Sequence, residues 1–181
     1  TNDFATRFLS EKSERIFCNP QSELFQVEPA VLKWKNISDE QAIDEICSLI
    51  QNKTLPKIAL KHKFKALSMS DIVFLTPSNE IGRAVVEKLN ADDIRVIHTF
   101  DKDIDIQRRQ KLYFFKGSEK IKGSSIHSFK GLESRAIILY LRDAKSQRDI
   151  HATYAALTRL KSSPEGSLLY VLSSNQQFAE Y

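Results

Sequence analysis

The sequence predicts an α/β domain, a parallel β-sheet covered by helices on both faces. Three observations carry that prediction. Ile72-Val73-Phe74-Leu75, Ala136-Ile137-Ile138-Leu139-Tyr140-Leu141 and Leu168-Leu169-Tyr170-Val171-Leu172 are apolar runs with little in–out alternation, as expected of strands buried on both sides. Helical spacings separate such runs, as at Ile81, Ala84, Val85 and Leu89, which is the order of a parallel sheet with crossover helices. The composition is 41% hydrophobic and 28% charged over 181 residues, the balance of a folded globular chain rather than a disordered one.

Taken in order, residues 1–37 show little clean periodicity beyond a short apolar spacing at Phe4, Ala5, Phe8 and Leu9. Ser38-Asp39-Glu40-Gln41 reads as a capping box that opens a helix with Ala42, Ile43, Ile46, Cys47, Leu49 and Ile50 on its apolar side, a helix expected to end near Asn52, before Pro56. Residues 53–70, with Lys57, Lys61, His62, Lys63 and Lys65, read as a basic loop. The strand at Ile72 is followed by Thr76-Pro77-Ser78-Asn79 and a helix, then by a strand at Ile94, Val96 and Ile97. A polar, basic stretch leads to a strand over Ile121 to Ile126, then to Ala136 to Leu141, a helix from Arg148 to Lys161, and a last strand from Ser167 to Leu172. The expected organisation is an N-terminal segment, 1–66, with its helix near 38–52, part of or packed on an α/β domain spanning 67–181.

Several function classes are set aside at this level. No apolar run approaches the roughly 20 residues that cross a bilayer, and the opening TNDFATRFLSEKSERI lacks the order of a secretory signal. No membrane partner is expected. Cys18 and Cys47 sit in no metal-binding or disulfide-framework spacing, so the sequence predicts no metal site of its own and a reducing, cytoplasmic setting. A net charge of +4 and a pI near 9.0 are compatible with nucleic-acid binding. The chain opens on Thr1 rather than Met, so it reads as a piece of a larger protein, with processing as the other explanation.

Two segments carry chemistry. Ser124-Ser125-Ile126-His127-Ser128-Phe129-Lys130-Gly131-Leu132-Glu133 places hydroxyls, a His, a Lys and a Gly at the end of one strand and just before another. In parallel sheets the crevice beyond the carboxyl ends of the strands is where ligands bind, and hydroxyls with free backbone N–H groups suit phosphate oxygens. Tyr154-Ala155-Ala156-Leu157-Thr158-Arg159 places one guanidinium on an otherwise apolar helix, which suggests an anionic partner.

The first segment, Ser125 to Glu133, resembles motif V of UvrD/Rep/PcrA-type superfamily-one DNA helicases, which reads Thr, any, His, two residues, Lys-Gly-Leu-Glu. The second, Tyr154 to Arg159, resembles motif VI, which reads Tyr, Val or Ala, any, Leu or Ile, Thr, Arg. The order of the two motifs and the strands that follow them also fit, and the resemblance runs from about Asp71 to Asn175. It implies the second, C-terminal motor domain of such a helicase, with a RecA-like fold and no P-loop of its own. Arg159 would then be an arginine finger on the ATP γ-phosphate. Glu133 would contact the nucleotide at its ribose, and Gly131 would let the backbone come close to it. Ser125 and His127 would lie on a single-stranded DNA track. Leu75-Thr76-Pro77-Ser78-Asn79, with Gly82-Arg83, resembles an earlier helicase segment that reads Arg-Thr-Asn and then Ser-Arg. By that match Asn79 contacts DNA, while Pro77 replaces the usual arginine.

The implied partners are single-stranded DNA, ATP with Mg²⁺, and an N-terminal motor domain of the same parent chain. That domain would hold most of the nucleotide and its metal, since no GxxxxGK[ST] and no acidic Walker B strand occur in this sequence. The resemblance implies 3′ to 5′ translocation, a place in DNA repair, and no ATPase activity of the chain alone. UvrD and Rep insert a large subdomain between Asn79 and motif V, so the compact relatives are the better likeness. Two alternatives stand beside this reading: a degenerate RecA-like module without ATPase activity, and an interaction domain in a nuclease-fused repair or mobile-element protein. The run Arg108, Arg109, Lys111, Lys116, Lys120 and Lys122, interleaved with Tyr113, Phe114 and Phe115, reads as a solvated loop or as a DNA-facing patch with stacking aromatics.

Overall fold

A computed structural model describes residues 29–115, 119–142 and 147–178. The elements run β1 (Ala30–Asn36), a 3₁₀ turn (Asp39–Gln41), α1 (Ala42–Gln51), α2 (Thr54–Lys61), a 3₁₀ turn (Met69–Asp71), β2 (Ile72–Thr76), α3 (Asn79–Ala91) and β3 (Val96–His98). They continue with α4 (Ile104–Phe115), β4 (Ile121–Ser125), β5 (Ala136–Leu141), α5 (Gln147–Leu157), β6 (Ser167–Ser173) and a 3₁₀ turn (Gln176–Phe178). The six strands form one sheet in the order β1-β6-β5-β2-β4-β3, and every pairing is parallel. The predicted α/β class is the observed one, and the architecture is consistent with a RecA-like fold.

The apolar runs are central strands because both of their faces are covered. Ile72, Phe74, Ile138 and Tyr140 project to one side, where they pack with Ile46, Leu55, Val85 and Leu89 of α1, α2 and α3. Val73, Leu75, Ile137 and Leu139 project to the other side and meet Phe114 of α4 and Ala156 and Leu157 of α5. All six residues of β5 are buried. Each large aliphatic there contributes about 1.5–3 kcal/mol of transfer free energy, so this strand and its neighbours anchor whatever their ends carry. Two glycines let the layers close. A Cβ on Gly82 of α3 would fall 2.2 Å from the Phe100 ring, and one on Gly123 of β4 would fall 2.4 Å from Phe74. Among the described residues no helix is long and apolar enough to cross a membrane.

The capping box at Ser38 forms, with the Ser38 N–H donating to Gln41 Oε1 at 3.1 Å. It opens a 3₁₀ turn that runs into α1. Three elements depart from the sequence reading. β1 is a strand, although its residues are largely exposed at a sheet edge and carry no clean period. The stretch read as a basic loop contains α2, whose Leu55 and Ala59 are buried beneath a lysine-rich outer face. Pro56 sits in its first turn, where its missing N–H costs nothing. The polar stretch from Ile104 is the helix α4, with Ile104, Leu112 and Tyr113 exposed and Phe114 buried. Phe114 therefore belongs to the core and not to a stacking platform, and Lys122 lies in β4 rather than in a solvated loop. The apolar spacing at Phe4 to Leu9 and the residues Cys18 and Lys116 fall outside the described residues. Cys47 is a free, buried thiol pushed up to about 11 by desolvation, which leaves it inert.

Candidate functional site

The segment between β4 and β5 organises the site. It leaves the carboxyl end of β4 and must reach the amino end of a parallel strand two places away in the sheet, past β2. Residues 126–135 therefore run the length of the strands, and the residues along this segment are distributed between opposite edges of the sheet.

At the carboxyl edge stand Ser125, His127 and Asn79. Thr76 of β2 is in register with Ser125 of β4, and the Ile126 N–H donates to the Thr76 carbonyl at 3.0 Å. The Ser125 side chain is buried, and its hydroxyl oxygen accepts the Ser128 N–H at 3.2 Å, so it shapes the turn that begins there. Its neighbour Ser124 shares a buried hydroxyl pair with Thr99 at 2.8 Å. His127 is exposed and lines a small cleft with Pro77, Arg142 and Thr153. Asn79 is the first residue of α3; the N-cap is Ser78, whose hydroxyl accepts the Ile81 N–H at 3.4 Å. The Asn79 amide is thus not spent on capping, and it bonds to no described residue.

Gly131, Glu133 and Arg159 stand at the amino edge instead. The fold has therefore separated Lys130, Gly131 and Glu133 from the strand end where their sequence neighbours lie. Gly131 has φ of +84° with nothing within 4 Å of the place a Cβ would take, so the left-handed turn, not crowding, calls for glycine. Ser134 then forms a parallel bridge with Leu160. Its N–H donates to the Arg159 carbonyl at 3.2 Å, and its own carbonyl accepts the Lys161 N–H at 2.9 Å. The Ser134 hydroxyl donates to the Asp71 carbonyl at 2.8 Å, just ahead of β2. This bridge explains why α5 ends at Leu157 rather than at Lys161. It also fixes Arg159 beside Glu133.

The Arg159 guanidinium folds back over the end of α5. Nε donates to the Ala155 carbonyl at 3.0 Å and Nη2 to Thr158 Oγ1 at 3.1 Å. A cation suits a helix C-terminus, and the other guanidinium N–H groups have no acceptor among the described residues. A recess of about 310 Å³ adjoins this segment and is lined by Lys122, Gly131, Glu133, Ser134 and Lys161 with Phe114, Phe129 and Leu132. Burial pulls the half-buried Lys122 ammonium below the ordinary lysine range, against the opposing charge of Asp71. Among the described residues no cluster of His, Cys, Asp and Glu is suited to a metal ion.

Other residues emerge only from the three-dimensional arrangement. Arg135 is buried, and its guanidinium donates to the carbonyls of Gly166 (2.9 Å), Ala66 (3.4 Å), Glu165 (3.1 Å) and Lys65. It ties the starts of β5 and β6 to the approach to β2. Asp39 gathers Tyr140, Ser174 and Arg142 at the carboxyl edge. Neither cluster has a local sequence signal, because the partners lie far apart along the chain.

No protein-family model matches the chain, and no curated protein matches it. Among solved structures it resembles the C-terminal domain of a possible DNA helicase from Lactobacillus plantarum WCFS1. The two share a TM-score of 0.51 and 12% identity, over 98% of this chain and 88% of that one. At that identity the likeness shows a shared fold.

Proposed function

We propose that this chain is the second motor domain of an ATP-dependent DNA helicase or translocase of the UvrD/Rep-like, superfamily-one kind. The observation that supports it best is the backbone bridge at Ser134, which sets Glu133 beside Arg159 at one edge of the sheet. His127, Asn79 and the turn shaped by Ser125 occupy the opposite edge. A motor needs this separation, with nucleotide contacts and strand contacts on one rigid body so that closure around one moves the other. The solved helicase domain of similar fold is in keeping with it.

On this reading a first motor domain holds ATP with Mg²⁺, and the cleft between the two domains closes on the nucleotide. The residues of this chain fit the phosphate end of ATP and not its metal. Arg159 has guanidinium donors to spare, whereas Glu133 is the one carboxylate among the described residues that line the adjoining recess. Arg159 leaves its resting bonds on Ala155 and Thr158 and places its planar fork on the γ-phosphate, stabilising charge that develops in the transition state. Glu133 and the Gly131 backbone orient the nucleotide. On the far edge, Asn79, His127 and the Ser125 turn hold single-stranded DNA through its phosphates.

The test is Arg159→Ala in the polypeptide that carries both motor domains. DNA-stimulated turnover should fall by about 10³-fold or more, on the order of 4 kcal/mol, while nucleotide affinity changes by only a few-fold. Arg159→Lys should restore little, since an ammonium lacks the forked donor geometry. A folded alanine variant that hydrolyses ATP within a few-fold of wild type would overturn the motor assignment.

A further inference from the structure

We propose that the recess at the amino edge of the sheet binds a phosphate group of the nucleotide, with Lys122 and Lys161 as its cationic contacts. Both lysines line it, on either side of the segment that carries Gly131 and Glu133, and neither belongs to the two motif-like segments. Calling the ligand a nucleotide rests on the motor reading; the phosphate chemistry does not.

Charge comes first. Among the described residues the lining includes two lysines and one carboxylate residue, Glu133, and neither lysine forms an ion pair among them. The Lys122 ammonium rises from the second position of β4 and is held by one neutral acceptor, the Ser70 carbonyl at 2.9 Å. A half-buried ammonium in no direct ion pair, eased only by the nearby charge of Asp71, is costly to keep charged. An anion in the recess would relieve that cost. Lys161 reaches the recess because the Ser134 bridge fixes its backbone there, with its N–H on the Ser134 carbonyl. Its exposed ammonium has no bond among the described residues.

The backbone adds donors. The N–H groups of Gly131 and Glu133 have no acceptor among the described residues, and the space a Cβ would fill at Gly131 is open. Two lysines with two unspent amides at a tight turn form a concavity suited to phosphate oxygens. The apolar remainder, Phe114, Phe129 and Leu132, gives one wall of a small-molecule site, and the volume of about 310 Å³ lies near the lower end for such sites. The backbone of Arg159 is bonded to Ser134, which also lines the recess.

Pyrophosphate titrated into the ¹⁵N-labelled chain, at low salt and followed by amide shifts, tests this. The expected result is saturable shifts centred on Gly131, Glu133 and Lys161. Lys122→Gln and Lys161→Gln should each weaken binding at least about fivefold, and Lys63→Gln, on an exposed turn elsewhere, should leave it unchanged. Lys161→Gln alters an exposed side chain, so it carries the test if loss of the Ser70 contact impairs folding of the Lys122 variant. No shift at 131–134 in the wild type, or full affinity in a folded Lys161→Gln chain, overturns the proposal. So does displacement of pyrophosphate by a thymidine oligonucleotide with larger shifts at the same amides, which would assign the recess to a nucleic-acid backbone. None of these outcomes alters the Arg159 turnover test, which fails or succeeds separately.

Discussion

Ser134 and Arg159 are joined through their backbones, the N–H of the first donating to the carbonyl of the second over 3.2 Å. The bond couples two segments that are far apart in sequence and makes the position of Arg159 depend on the path of the chain into β5. The Ser134 side chain plays a different part, since its hydroxyl donates to the Asp71 carbonyl at 2.8 Å.

Ser134→Ala should therefore separate the two roles. Removing the hydroxyl costs about 1 kcal/mol and leaves the Asp71 carbonyl short of one donor, while both backbone bonds of the bridge survive. The expected outcome is a small drop in the urea midpoint, with the amide of Ser134 still protected from hydrogen exchange. Loss of that protection would show that the hydroxyl, not the backbone pairing, holds the segment in place.

Arg135, the next residue, should be far less tolerant. Its guanidinium satisfies four backbone carbonyls and lies 3.4 Å from Glu165 and 3.7 Å from Asp71. Arg135→Met keeps much of the volume but orphans those acceptors in a place where water cannot readily replace the donor. A loss of about 3 kcal/mol is expected, which for a chain of this size lowers the melting temperature by on the order of 10 °C. Calorimetry on the purified chain reads this directly. A change within 1–2 °C, small on the same scale, would mean that the clamp is dispensable.

The parts of this fold that were legible in the sequence are those that a buried environment writes locally. β2, β5 and β6 could be read because a strand covered on both faces leaves little room for polar residues except at its ends. β1 escaped because it pairs on one side only and exposes Leu32, Lys33 and Lys35. α2 and α4 escaped because their buried stripes are narrow, Leu55 with Ala59 in one and chiefly Phe114 in the other, so their charged faces dominate the pattern. At the candidate site, the resemblance to helicase motifs grouped Gly131, Glu133 and Arg159, but the sequence did not give their place in the fold. The reading placed Lys130 and Gly131 at a strand end, and only the path of residues 126–135 reveals that they travel to the other edge. Lys122, Arg135 and Lys161 depend on contacts between distant segments, which no local pattern encodes.

Asp39 gives the last prediction, and it concerns pH. The hydroxyls of Ser174 and Tyr140 hold its carboxyl below its usual 3.8, against the opposing effect of burial and with lesser help from the Arg142 guanidinium. The distances are 2.6 Å to the Tyr140 oxygen and 2.7 Å to Arg142 Nε. Because the folded pKa is depressed, the stability these contacts provide is fully present well above the unfolded value. It is lost as pH falls through the unfolded value and then the lower folded one. With the side chain 40% exposed, solvent screening limits the effect to about 1 kcal/mol. Asp39→Asn cannot be ionised, so the stability gap between it and the wild type should be largest near neutral pH and should narrow from about pH 5 to pH 3. Urea denaturation of both proteins at several pH values measures that gap. Should it stay constant across the range, or widen toward acid, the ionised carboxylate is not what ties the ends of β5 and β6 to the turn after β1.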